Sequence, residues 1–217
     1  FARDRSNGDV AAVFKLPSTP SNPADAAVLG VDRYVERTKQ QANAVFHGTT
    51  IGTNTLIEKR GAVTALITTK GFRDVLALRR QARPRLYDLK PAVSEPLAPR
   101  ALRFEADERV LFDGCIEKRL TDAEIERLVG LVSQCGAEAV AISLLHAYAN
   151  DAHENRLAVA LRNAFPSIFV TVSSDVSRAF REFERTSTTT VNGYIGPAVA
   201  LYVESLERQL RTRKSDT

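Results

Sequence analysis

The densest group of residues able to do chemistry lies between His47 and Asn54, where the sequence reads His-Gly-Thr-Thr-Ile-Gly-Thr-Asn. These side chains, together with free backbone N–H groups at a helix start, can donate hydrogen bonds to an anion. The stretch lacks both Gly-Lys-Ser/Thr and Gly-x-Gly-x-x-Gly, so it is neither of those nucleotide-binding loops. His47 is the candidate catalytic residue, and the candidate substrate- or phosphate-binding residues are Gly48, Thr49, Thr50, Thr53 and Asn54. Alternatively, Thr49 or Thr50 caps the helix and Gly48 serves a turn.

A second candidate lies in segment 83–100, where four prolines predict a long surface loop. Arg83 and Arg85 stand at its start, and guanidinium groups bind carboxylates and phosphates through paired hydrogen bonds. We therefore include both arginines among the candidate binding residues. A charged loop surrounded by solvent explains the same pattern.

Two further groups have a functional and a structural interpretation. His146 follows a predicted strand and His153 begins the next helix, which suits a metal or acid–base role or a structural hydrogen bond. Neither their spacing nor that of Cys115 and Cys135 selects a metal, so no metal site is predicted. The five consecutive hydroxyl residues at 186–190 either contact a ligand or bond within a helix.

The composition of the chain limits the class of protein to which these residues can belong. The chain has 217 residues, 44% hydrophobic and 26% charged, which predicts a folded domain and excludes disorder. A formal net charge of +4 is small for a nucleic-acid binder, so no nucleic-acid partner is expected. Without a long apolar run, membrane insertion is not expected either, and a reducing, cytoplasmic location is the default.

The first half of the chain predicts alternating elements. Residues 10–16 favour a strand, and Asn22 followed by Pro23 predicts a capped helix that runs to about Gln40. The pattern then predicts a short buried strand at 44–46, a helix at 51–60 closed by Gly61, and a buried strand at 62–68.

The second half alternates more clearly. Asp113-Gly114 predicts a hairpin, and Thr121 with Glu124 predicts a capping box that starts a helix. A strand at 139–145, a helix from Asp151, a strand at 168–172 and a final amphipathic helix over 199–210 follow. This order predicts an α/β fold with a mixed, partly parallel sheet and flanking helices. We treat residues 1–217 as one region with a subdivision near 83–100.

Six separated motifs, in this order, resemble the N-terminal region of the hydantoinase A and 5-oxoprolinase family. They begin at Lys15 (Lys-Leu-Pro-Ser-Thr-Pro), His47 (the stretch above, extended to Gly61), Thr68 (Thr-Thr-Lys-Gly-Phe-Arg-Asp), Arg83 (Arg-Pro-Arg-Leu-Tyr-Asp), Ser143 (Ser-Leu-Leu-His-Ala-Tyr) and Glu184 (Glu-Arg-Thr-Ser-Thr-Thr, then Asn-Gly-Tyr at 192–194). Two departures from many relatives are glycine in place of alanine at Gly52 and at Gly193.

The resemblance implies that the full-length protein couples ATP cleavage, with Mg²⁺, to opening of a hydantoin or 5-oxoproline ring. It implies part of the actin and sugar-kinase (ribonuclease H-like) superfold, and partners among cyclic amides, further domains of the same chain or a companion subunit. The alternative is a structural or docking domain of an acetone or acetophenone carboxylase subunit.

The same resemblance implies a glycine-rich phosphate loop upstream of residue 1, with the metal-binding residues in a later domain. Because the sequence begins with Phe1 and contains no Met, we expect it to be a segment of a longer polypeptide. We therefore expect this segment alone to hold no cofactor and to have no turnover.

Overall fold

The computed structural model describes residues 2–3, 10–13, 15–17, 19, 22–39, 44–81, 87 and 95–215. Its strands are β1 (Ala2–Arg3), β2 (Val10–Ala12), β3 (Thr64–Thr69), β4 (Arg103–Ala106), β5 (Arg109–Val110), β6 (Ile116–Lys118), β7 (Ala139–Ser143) and β8 (Phe169–Val172). Its α-helices are α1 (Pro23–Thr38), α2 (Ile51–Ile57), α3 (Val75–Leu78), α4 (Asp122–Gln134), α5 (Ala152–Ala164), α6 (Ser173–Val176) and α7 (Glu182–Ser215). Among these, none has the length of weakly charged, apolar sequence that a bilayer crossing requires.

The chain forms two compact units, one made of residues 1–54 and 198–217 and the other of residues 55–197. The larger unit contains a four-stranded sheet in the order β4-β3-β7-β8, in which every neighbouring pair is parallel. Strands β5 and β6 form a separate antiparallel hairpin, as the Asp113-Gly114 signal predicts. The mixed α/β class with a parallel sheet and flanking helices is therefore confirmed, while a subdivision near 83–100 stays a prediction.

The sheet buries apolar side chains on both faces, because alternate residues of each strand point to opposite sides. Ala65, Ile67, Val140 and Ile142 belong to the core that includes residues of α4 and α5. On the other face, Leu66 and Ala141 pack with Leu76 of α3 and Ala98. This two-sided burial explains why β3 and β7 are almost continuously apolar in sequence.

Helix α4 attaches to the outer edge of β4 through charged side chains. Thr121 caps the helix by accepting from Glu124 N (3.2 Å), which is half of the predicted capping box. The Glu124 carboxylate does not bond back to the cap but accepts from Asp107 N (2.8 Å). Arg127 donates to the carbonyl of Glu105 (2.7 Å). Both side chains thus bond backbone groups of the edge strand or the residue after it.

A fully buried carboxylate, Glu108, ties together the ends of several elements. It accepts from the hydroxyl of Thr69 and from Nδ1 of His153 (2.7 Å), while Nε2 of His153 accepts from Leu120 N (3.3 Å). Thr69 in turn accepts from Leu145 N (2.8 Å). Every member has a partner, as buried polar networks require, so His153 is structural.

A second buried carboxylate, Glu154, lies where β7 and β8 end. It accepts from Leu144 N (2.8 Å), from the Ser173 hydroxyl (2.6 Å) and from Ser174 N (2.9 Å). Burial raises the pKa of Glu154, against the opposing effect of these three donors. The carboxylate holds the turn after β7 against the first residues of α6.

Several local predictions for the first half of the chain were wrong in detail. Asn22 does not cap α1; its amide donates to Asp25 (2.7 Å) instead. Residues 44–46 are irregular and exposed rather than a buried strand, since no strand in the described part of the chain pairs with them. Helix α2 stops at Ile57, and the left-handed residue after it is Lys59 (φ 54°), not Gly61.

Gly61 has a packing role instead. A Cβ added there would lie 2.2 Å from ring carbons of the buried Tyr194, whose carbonyl accepts from Ala62 N (2.9 Å). No real side chain tolerates that approach without a shift of the ring or the backbone. The glycine therefore lets the segment before β3 pass directly beside α7.

This contact predicts opposite outcomes for two glycine substitutions. Gly61→Ala should lower the free energy of unfolding by about 1–3 kcal/mol, because the added methyl overpacks the site. Gly130→Ala, inside α4 with no atom of the described residues within 4 Å of the added carbon, should raise it by about 0.5–1 kcal/mol through helix propensity. Urea unfolding measures both, and equal effects at the two positions would contradict the packing role of Gly61.

The raised pKa of Glu154 predicts a pH-dependent stability difference. Its stabilising contribution is complete below the unfolded-state pKa of about 4.3 and is lost as the pH rises through the higher folded-state pKa. Glu154→Gln removes this titration. As the pH rises above about 4.3, the free energy of unfolding of wild type should therefore fall relative to that of the variant. Urea unfolding at several pH values measures the difference, and a change of the opposite sign would rule out the assigned direction.

Candidate functional site

Residues 44–50 form an irregular, exposed segment that leads into α2. The helix predicted after this junction is present, whereas the strand predicted before it is not. The N–H of Ile51, the first residue of α2, donates to the hydroxyl of Thr49 (3.2 Å), so Thr49 satisfies one of the N–H groups at the helix start. Asn54 N donates to the Thr50 carbonyl (2.8 Å), an ordinary helical bond. Thr50, Thr53 and Asn54 have exposed side chains that can still reach a ligand.

Gly48 is not required by the backbone or by packing. Its φ lies outside the left-handed region, and a Cβ added there would meet no atom within 4 Å among the described residues. The open space beside the backbone is what an approaching ligand needs. Gly48 differs in this respect from Gly61, where a neighbouring ring fills the space.

His47 is exposed, but one of its ring nitrogens has a buried partner. Its Nε2 is hydrogen-bonded to the hydroxyl of Tyr202 on α7, and the two rings lie 5.7 Å apart at an angle of 40°. The Tyr202 side chain is buried, and this burial raises the pKa of its phenol. Sequence reasoning missed Tyr202, because its position in the final helix indicates only an inward-facing aromatic residue.

Tyr202 belongs to the smaller unit, in which Ala24 and Val28 of α1 are buried and Gln209 of α7 donates to Asp25 of α1 (2.8 Å). The predicted candidates His47 to Asn54 occur together on one loop and the helix that follows it.

The other candidate binding residues, Arg83 and Arg85, lie outside the described residues. Tyr87, from the same motif, is described and is 95% exposed. Ligand binding by the two arginines stays a prediction.

His146 has a structural contact that accounts for its position. Its Nδ1 is 2.8 Å from the Val110 carbonyl, and Asn150 donates to the Gly114 carbonyl (2.8 Å). Both bonds fasten the turn after β7 to the β5–β6 hairpin. His146 takes a positive φ of 56° in this turn. The described residues contain no group of three or more His, Cys, Asp or Glu side chains that can hold a metal ion.

The run of hydroxyl residues at 186–190 is largely structural. Thr186 is hydrogen-bonded to Ser143 of β7 (2.8 Å), whereas Thr188, Thr189 and Thr190 donate to carbonyls four residues earlier in α7. Such bonds satisfy hydroxyls inside a helix without a ligand. The structural interpretation therefore holds for these four residues.

The arginine that precedes this run, Arg185, is 1% exposed. It donates to the carbonyls of Leu144 (2.6 Å) and Ala179 (3.1 Å), and its guanidinium lies 5.6 Å from the centre of the Tyr148 ring. Burial lowers its pKa, while the nearby Glu154 acts in the opposite direction. Arg185 and Glu154 thus bond the carbonyl and the amide of the same residue, Leu144, in the turn after β7.

A cleft of about 440 Å³ lies along the outer edge of β4. It is lined by Lys70, Arg73, Arg103, Phe104, Glu105, Asp107, Glu124, Arg127 and Leu131. Two of its cations pair with lining carboxylates, Lys70 with Asp107 (3.4 Å) and Arg127 with Glu124 (2.6 Å), whereas the buried Nε of Arg73 has no partner among the described residues.

Comparison with known proteins identifies the family. Residues 2–165 match the family described as the hydantoinase/oxoprolinase N-terminal region. The caprolactamase α subunit of Pseudomonas jessenii is 33% identical over 90% of this chain and 29% of that protein. 5-Oxoprolinase 1 of Arabidopsis thaliana is 32% identical over 88% of this chain and 17% of its own length.

Two further matches extend this result. The acetophenone carboxylase γ subunit of Aromatoleum aromaticum is 25% identical over 84% of this chain and 28% of the subunit. The crystal structure of ATP-dependent caprolactamase from Pseudomonas jessenii superposes with a TM-score of 0.79 and 30% identity, covering 95% of this chain and 31% of the enzyme. The chain spans less than a third of the length of each of these relatives. It belongs to the hydantoinase/oxoprolinase family and corresponds to the N-terminal region of that family.

Proposed function

We propose that this chain is the N-terminal region of an ATP-dependent hydrolase that opens a hydantoin or 5-oxoproline ring. The observation that carries the proposal is the family match over residues 2–165. Relatives named 5-oxoprolinase and caprolactamase, whose substrates by name are cyclic amides, support it.

The chemistry explains why such an enzyme uses ATP. An unstrained cyclic amide resists hydrolysis at neutral pH because its nitrogen donates electron density to the carbonyl. ATP supplies a phosphoryl group that, on the amide oxygen, makes the carbonyl carbon a better electrophile for water. The protein must then place hydrogen-bond donors where negative charge develops on oxygen atoms.

The loop from His47 to Asn54 is our candidate for these donors. The Thr50 and Thr53 hydroxyls and the Asn54 amide are exposed, and the backbone beside Gly48 is open. His47 orients the ligand or donates to it, and Arg83 and Arg85 bind carboxylate or phosphate groups. We assign no residue of this chain to Mg²⁺, because the described residues contain no group of acidic or histidine ligands that fits it.

Ligand binding to this loop has a direct test. We expect 5-oxoproline or hydantoin to raise the melting temperature of the chain, and His47→Ala to reduce that increase. Gly48→Ala should reduce it as well without changing the melting temperature of the free protein, because the methyl enters only the ligand's space. Gly130→Ala is the matched control and should leave the ligand-induced increase unchanged. A ligand-induced increase that is equal in all four proteins would show that the loop does not bind the ligand.

Catalysis is expected to need more than this chain. We expect the purified chain to show no ATP hydrolysis that depends on 5-oxoproline or hydantoin, because it corresponds to less than a third of the length of the related enzymes. The full-length protein should show that activity. Amide-dependent phosphate release by the chain alone would disprove the first statement, and its absence from the full-length protein would disprove the proposed reaction.

The similarity to the acetophenone carboxylase γ subunit favours a second candidate, a docking domain in a carboxylase-type complex. Leu201 and Val203, on the C-terminal half of α7, are 69% and 43% exposed and would contact the companion subunit. Leu201→Asp should then abolish co-elution with that subunit in gel filtration but leave the melting temperature unchanged. Ring opening without a companion subunit would exclude this candidate.

A further inference from the structure

The contact between His47 and Tyr202 determines which hydrogen the imidazole presents to a ligand. A neutral imidazole has one N–H donor and one nitrogen acceptor, and the partner of one nitrogen fixes the state of the other. Tyr202 bonds to Nε2 of His47, and the described residues provide no partner for Nδ1. Whether Nδ1 carries a hydrogen therefore depends on the bond between Nε2 and Tyr202.

Tyr202 is suited to be the donor in this bond. Its side chain is only 6% exposed, so its phenol is kept in the neutral, protonated form at neutral pH. When the phenol O–H donates to the lone pair of Nε2, the single imidazole hydrogen is left on Nδ1. The reverse orientation, with Nε2–H donating to the phenol oxygen, would leave Nδ1 as an acceptor instead.

We propose that Tyr202 is a positioning residue that holds neutral His47 in the Nδ1–H form, so that the exposed edge of the ring donates one hydrogen bond. The matching ligand atom is an oxygen acceptor, either the carbonyl oxygen of a cyclic amide or a phosphate oxygen. This choice of ligand atom rests on the proposed function, whereas the state of the ring does not. In the Nδ1–H form, Nδ1 has no free lone pair, so His47 Nδ1 is excluded as the base that removes a proton from water.

Nitrogen-15 NMR of the imidazole rings tests the assignment directly. The chain has only three histidines, so His47→Ala identifies the His47 signals. At a pH where His47 is neutral, we expect wild type to show a protonated Nδ1 and an unprotonated Nε2. A protonated Nε2 in wild type would overturn the proposal.

Two tyrosine variants separate the hydroxyl from general packing. Tyr202→Phe keeps the ring and removes only the O–H, so the His47 signals should shift toward the Nε2–H form that free imidazole side chains favour in water. Tyr194→Phe, which removes a hydroxyl from the same helix, should leave them unchanged. Unchanged His47 signals in Tyr202→Phe would show that Tyr202 does not control the ring.

Adding ligands to the same labelled sample tests whether Nδ1–H of His47 contacts the ligand and which ligand atom accepts the bond. A shift of the His47 Nδ1–H signal with 5-oxoproline or hydantoin assigns the acceptor to the amide carbonyl, and a shift with ATP or inorganic phosphate assigns it to a phosphate oxygen. An Nδ1–H form that responds to none of these ligands would overturn ligand contact by this loop while upholding the role of Tyr202.

Discussion

The structure of the larger unit depends on the hydrogen bonds made by ionisable side chains that are buried at the carboxyl ends of its parallel strands. A carboxylate or guanidinium without partners in such a place costs several kcal/mol, on the order of the whole stability of a domain. Glu154 and Arg185 reduce that cost by bonding backbone groups of the turns around them. Glu108 does so through the side chains of Thr69 and His153, which accept in turn from the amides of Leu145 and Leu120. Those turns consequently have one conformation that meets all the bonds, and the strand ends are fixed with them.

The loop that carries the candidate site is built differently. Its donors are exposed, and its buried contact is the one between His47 and Tyr202. In open α/β sheets, ligands commonly bind at the carboxyl ends of the strands. Here, within the described residues, those ends are occupied by the protein's own side chains, which is why the exposed loop is the better candidate.

Much of the larger unit could be predicted from the sequence. From Thr121 to Val172, apolar residues recur with helical and strand periods between clear caps and breaks, so each element was predicted close to its observed bounds. The apolar residues Val45 and Phe46 gave a wrong prediction, because a strand needs a neighbouring strand and local sequence does not say whether one is present. The partners of Glu108 and the bond from Tyr202 to His47 join residues distant in the chain, and no local pattern records them.

The side chains of α4 on the outer edge of β4 have a consequence for assembly. An edge strand with free N–H and C=O groups can pair with a strand of another molecule, which leads to aggregation. Glu124 and Arg127 already take the amide of Asp107 and the carbonyl of Glu105, and they bring charge to that edge. An added strand would have to displace both and leave their charges without partners. The sheet therefore cannot readily grow on this side, and a protein that binds there has to do so through side chains.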